Sequence, residues 1–241
     1  MPNKPNPVTP EELDNFGPFI SRLGEVAAKT VIWWKVRGMR RAERKRSPTR
    51  ERVISLVHSR HKEAKERGLV HYERVYNVSL YVFVLDYDIA VSSRHYTAAY
   101  RTWEKKFAAR QLAVLLYEAA EDLPQLLGKD FRVTMRELPL WDAAAEELKA
   151  ISSTLNTYLR SNHGLLKQLR SYVGAHRDRD AGKQMEVIES IVPLEIYNLA
   201  ADLYIGLNLL MNFLLRLVDV LGKSEVVFSH LLNTPEFSNY T

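Results

Sequence analysis

The segment Leu169-Arg170-Ser171-Tyr172-Val173-Gly174-Ala175-His176-Arg177-Asp178-Arg179-Asp180 gathers a cation, an imidazole and two carboxylates in one short stretch. Such groups can cut RNA without a metal. Attack by the 2′-OH needs a base, an acid for the leaving oxygen and positive charge on the phosphorane-like transition state. Histidine titrates near neutrality and serves as base or acid. Arginine forks onto phosphate oxygens and stabilises the developing charge. Arg170 and His176 are therefore the candidate catalytic pair. Ser171, Asp178 and Asp180 are candidate supporting residues, the aspartates by orienting the imidazole or pairing with Arg177 and Arg179. A six-residue separation on an ideal helix leaves the pair about 120° apart. A break at Gly174, or the reach of the arginine, has to close that gap. The same residues also make an ordinary polar helix end, with Arg170 and His176 as caps paired to Asp178 or Asp180.

The elements that must position these groups read as helices. Apolar residues make up 46% of the 241 residues, enough for a sizeable core. Glycine and proline are scarce, and Pro2, Pro5, Pro7 and Pro10 crowd the first ten residues. The rest is poor in turn formers, which favours long helices over many short strands. Residues 1–8 read as a disordered tail. Thr9-Pro10-Glu11-Glu12 has the form of a helix start, with a threonine cap, proline at the first position and glutamate three after the cap. Ser47-Pro48 starts a second helix running to Gly68, with Val53, Leu56, Val57 and His61 inward. Over Leu69 to about Ser93 the spacing of Val75, Val78, Val82, Leu85 and Ile89 predicts a helix, although its valines and tyrosines also suit a strand. Thr97 to Leu127 follows, with Tyr100, Trp103, Phe107, Leu115, Ala119 and Leu123 on one face. Pro124 strains its last turn and Gly128 is placed to stop it. Leu138-Pro139 opens a long helix with Trp141, Leu148, Ile151, Leu155, Tyr158, Leu165, Leu169 and Tyr172 as its stripe, Gly164 as a weak point and Gly174 as terminator. A short helix precedes Pro193. A last, most apolar helix runs from Pro193 to Leu221. Its Asn198, Asp202, Asn208, Asn212 and Arg216 form a polar stripe facing solvent or another protomer.

Net charge is +5, but it is concentrated. Lys35 to Arg67 holds thirteen Lys/Arg against four Glu. Arg37, Arg40, Arg41, Arg44, Lys45 and Arg46 are the candidate nucleic-acid contacts, joined by Lys35, Arg50 and Arg52, with Trp33 and Trp34 available to stack on bases. A solvated helix face with core tryptophans accounts for the same residues. The expected organisation is all-α: a basic N-terminal helical extension over 9–68, a bundle over 69–222 and a C-terminal tail over 223–241.

The Arg170-to-His176 spacing, the run LRSYVGAHRD and the long apolar helix behind it resemble the HEPN superfamily. These are helical bundles of RNA-cleaving toxins, abortive-infection proteins and other phage-defence systems. The resemblance covers about 69–222. It implies an HEPN-like antiparallel helical bundle and a metal-independent ribonuclease. It also implies a homodimer that builds its cleft from two Arg/His pairs, and a toxin–antitoxin or defence setting with an antitoxin or other protein partner. The helix holding Arg110, Glu118, Glu121 and Asp122 matches an earlier bundle helix of such domains. Two departures stand out: Ser171 follows the arginine where Asn, Asp or His is common, and Asp178 replaces the tyrosine of a His-x-Tyr extension. The spacing recurs once more, at Arg52 and His58 inside the basic helix.

The chain lacks cysteine, so thiolate metal sites and cysteine nucleophiles are out, and a reducing compartment fits. It has no Walker A, GxGxxG, HExxH, EF-hand, GxSxG or Glu-x-x-His pattern. His58 and His61 lie three apart on a helix but have no evident third ligand. No cofactor and no metal are expected. The polar N-terminus shows no signal-peptide core, and the uncharged run Leu203–Leu215 is short and carries Asn208 and Asn212. A cytoplasmic protein without a membrane span is therefore expected. The other function consistent with these residues is a non-catalytic helical module that binds nucleic acid or a protein partner.

Overall fold

The structure is a computed structural model describing residues 41, 46–99, 101–138, 141–173 and 181–223, without the side chains of 141–143, 169 and 171–173. The chain divides into two compact units, Met1–Lys45 and Arg46–Thr241. In the first, Arg41 is helical and exposed. In the second, the described residues form seven helices and no strand: α1 (46–66), α2 (Val70–Ala98), α3 (Thr102–Leu126), α4 (Lys129–Arg136), α5 (Trp141–Val173), α6 (Ala181–Ser190) and α7 (Pro193–Leu221). The fold class is all-α, as the composition and spacing predict.

Four long helices carry the core. α3 and α7 pack on each other, and both pack on α2 and on α5. The inward valines of α2, Val75, Val78 and Val82, are buried with Leu85 and Ile89, while Val70 and Val84 face outward. Their three-four spacing wraps one stripe against the core, and that burial outweighs the strand preference of valine and tyrosine. α1 belongs to the same compact unit, with Val57 and Ala64 in the common core. It ends where Gly68 turns left-handed at φ 68°. There the Gly68 N–H donates to Lys65 O and the Leu69 N–H to Ala64 O, the paired bonds of a Schellman stop.

Several boundaries and faces differ from expectation. α2 runs on through Thr97, whose hydroxyl satisfies Arg94 O, and α3 starts at Thr102, where the Arg101 N–H donates to the Glu104 carboxylate at 3.3 Å. Trp103 and Phe107 are more than half exposed instead of core. The buried face of α3 is lined by small residues, Ala108, Ala109, Ala113, Ala119 and Ala120, between Leu112, Leu116 and Leu123. Alanines let neighbouring backbones approach, and that rotates the aromatics outward. Pro124 sits inside α3, which continues to Leu126. Gly128 follows the stop with an ordinary negative φ and serves as the cap of α4, a short helix that the spacing does not predict. In α1, Leu56 is exposed. In α5, Leu165 is exposed while Leu159 and Leu166 are buried, and the helix passes through Gly164 without a break. Over so long a helix the 3.6 period drifts, so a stripe extrapolated from its first half slips by one residue.

α7 begins at Pro193, whose missing N–H costs nothing at a first helical position. Its Gly206 lets α5 come close: a Cβ there would lie 2.7 Å from Leu155 Cδ2. The Tyr158 hydroxyl of α5 donates to Leu199 O of α7 at 2.7 Å. Lys106 of α3 closes the C-terminus of α6 by donating to Ile188 O at 2.9 Å and Glu189 O at 2.6 Å. Both α2 and α7 are long and apolar enough to cross a membrane by length and composition.

Candidate functional site

The C-terminal half of α5 carries His163, Lys167 and Arg170 at positions i, i+4 and i+7, one stripe along the helix. α3 runs beside it and contributes Tyr117 and Glu121, one turn apart. His163 Nε2 meets Glu121 Oε1 at 2.5 Å, tying the two helices together. The Tyr117 ring neighbours both the His163 ring and the Arg170 guanidinium. Its centroid is 5.9 Å from the His163 ring and 4.9 Å from the Arg170 guanidinium carbon. The guanidinium thus rests on an aromatic face, a contact that holds a planar fork in place. The hydrogen bond from His163 holds the Glu121 carboxyl below its ordinary range. Partial desolvation opposes that shift, while the electrostatic pull of His163, a hydrogen bond with Tyr117 and the Lys167 charge reinforce it. A carboxylate on Nε2 fixes the ring orientation and leaves Nδ1 as the remaining nitrogen. The cluster therefore combines a held imidazole, an aromatic platform and two cations, the complement of a phosphate with a proton to move.

Arg170 occupies the last turn of α5 and is exposed. Ser171 is in the same turn, its side chain outside the described residues. His176, Asp178 and Asp180 lie outside the described residues, as do Arg37, Arg40, Arg44, Lys45, Trp33 and Trp34. Arg46 is exposed at the head of α1, and Arg52 further along it. Arg50 is not available to a phosphate: its Nε meets Asp86 Oδ2 at 2.6 Å, and Nη2 donates to Oδ1 at 3.4 Å. His58 is exposed, while His61 stands 3.9 Å from Glu73. Among the described residues no three His, Asp or Glu side chains gather as a metal site.

The residue that spacing missed is His163. It precedes its arginine, so a search for arginine followed by histidine passes over it. The signal was nonetheless present, because seven residues on a helix return to one face. Glu118 is exposed, and Asp122 accepts a hydrogen bond from Tyr81 at 2.8 Å. Burial of Tyr81, and then that bond, push its hydroxyl well above the ordinary range, so Tyr81 is a structural donor. A shallow aromatic depression lies at the start of α3, lined by His95, Trp103, Glu104 and Phe107. The polar stripe of α7, Asn198, Asp202, Asn208, Asn212 and Arg216, is exposed throughout. No known protein family, curated protein or solved structure matches the chain.

Proposed function

We propose that this protein is a metal-independent ribonuclease of HEPN type, acting in a defence or toxin–antitoxin setting. The observation that carries the reading is the seat of Arg170 on Tyr117 beside the Glu121-held His163. Arg170 grips the scissile phosphate, and His176 transfers a proton, as the sequence resemblance implies. His163 supplies a second imidazole on the helix face that carries Arg170. One imidazole takes the 2′-OH proton as the 2′-oxygen bonds to phosphorus. The P–O5′ bond breaks, and the other imidazole protonates the departing 5′-oxygen. The products are a 2′,3′-cyclic phosphate and a 5′-hydroxyl. The basic segment around Arg41 and Arg46 holds the RNA backbone by charge. The working form is a homodimer, and an antitoxin or other protein partner restrains it in the cell.

The test uses end-labelled RNA in excess EDTA, with its all-deoxy counterpart as control. The expected result is cleavage of the RNA alone, lost in His176→Ala and in Arg170→Ala and reduced in His163→Ala. No cleavage by the parent chain overturns the reading. If RNA is then still retained on a filter, the protein is a binding module.

A further inference from the structure

We infer that the outer face of α7 is the seam on which two copies of this chain pair, antiparallel, about a two-fold axis at Leu209. The inference holds whether or not the protein cuts RNA. α7 buries one face in the core, yet its most apolar window has a mean hydropathy of 1.5 with less than half of it buried. Ile205 and Leu209, one turn apart, are 63% and 47% exposed, at the middle of a helix about 43 Å long. Leu194 and Leu215 are exposed toward the two ends of the helix. Ile205 and Leu209 thus form a small apolar centre rimmed by the exposed Asp202, Asn208, Asn212 and Arg216, the arrangement of an interface with a polar rim.

The charges identify the occupant. A two-fold axis through Leu209 sets residues equally far from it, before and after, opposite one another. Asp202 and Arg216 each lie seven residues from Leu209, and Glu195 and Lys223 each fourteen; all four are exposed. Antiparallel pairing therefore puts Asp202 against Arg216 of the second copy and Glu195 against its Lys223, and the symmetry repeats both pairs. Parallel pairing would set each charge against itself. A two-fold interface must be self-complementary in this way. Within one chain Arg216 bonds Glu147 and Lys223 bonds Asp219, but both cations stay more than half exposed and keep donors for a second carboxylate.

The experiment is sedimentation equilibrium on the full chain across a concentration series, with circular dichroism to confirm that each variant is folded. The parent is expected to dimerise and Leu209→Lys, which sets two ammonium groups on the axis, to be monomeric. Asp202→Lys and Arg216→Glu each weaken the dimer about tenfold, because every substitution acts twice across the seam. The double reversal Asp202→Lys/Arg216→Glu returns the constant to near the parent value. A parent that is monomeric throughout overturns the seam. So does a dimer indifferent to Leu209→Lys, or a double reversal no tighter than the singles. A monomer that instead binds phosphatidylcholine vesicles through Ile205 and Leu209 reassigns the face to a lipid surface, and also overturns it.

Discussion

Two side-chain pairs, each with a carboxylate, join helices in this bundle at nearly the same distance. Arg50 and Asp86 link α1 to α2 at 2.6 Å with 20% and 5% of their side chains exposed. His163 and Glu121 link α5 to α3 at 2.5 Å with 42% and 41% exposed. The first pair is shielded from water, so losing one partner strands a charge in a poor solvent. The second keeps its access to solvent, so its attraction is screened and adds little to stability, while both groups remain reachable by a substrate. Equal geometry thus serves two ends, and burial decides which. A carboxylate locked under an arginine is architecture, whereas a carboxylate against a half-exposed histidine stays open to solvent and to a ligand.

The largest effect is expected from Arg50→Ala, which leaves Asp86 buried without that guanidinium. It should destabilise the chain by about 3–5 kcal/mol, read as a lowered urea midpoint. A loss no greater than that of an exposed pair would break the comparison. Glycines offer the same contrast. Gly206→Ala drives a methyl into Leu155 of α5 and should cost about 1–3 kcal/mol. Gly164→Ala meets open space on an exposed turn of α5 and should gain up to about 1 kcal/mol. The smallest stability effect belongs to Glu121→Gln, whose midpoint at neutral pH should fall close to the parent's while RNA cleavage drops, since the imidazole loses its orienting charge. The pH dependence has a definite sign. Because the folded Glu121 carboxyl titrates below its ordinary value, its contribution is complete above the ordinary carboxylate range and fades as pH falls through the lowered value. Parent and Glu121→Gln stabilities should therefore converge in acid. A gap that widens there would reverse the assignment.

Particular residues show how far the sequence was legible. The buried stripe of α2 and the full extent of α7, from Pro193 to the turn at Gly222, could be read from spacing and end signals. The failures share a cause. Trp103, Phe107, Leu56 and Leu165 are large, apolar and at helical spacing, which predicts burial, yet all four are exposed. Their helices bury neighbouring positions instead, alanines in α3 and Leu159 and Leu166 in α5. The periodicity of one helix states that a face is buried, but not which rotation its partners select. α4 escaped because Phe131, Thr134 and Met135 span a single turn, too short for periodicity to register.

The candidate site divides along the same line. Arg170 could be named from its residue type and its place at the end of a long helix. His163 and Glu121 could not be joined, because they lie 42 residues apart and neither belongs to a motif. The sequence alone determined that the described chain is helical, where its long helices lie and where its positive charge is concentrated. These follow from local propensity and short-range spacing. Only the tertiary structure decided that Tyr117 carries Arg170, that Glu121 holds His163 and that Arg50 is withdrawn from the basic surface. Each depends on the rotation and approach of two helices, set by the packing of side chains distant in sequence.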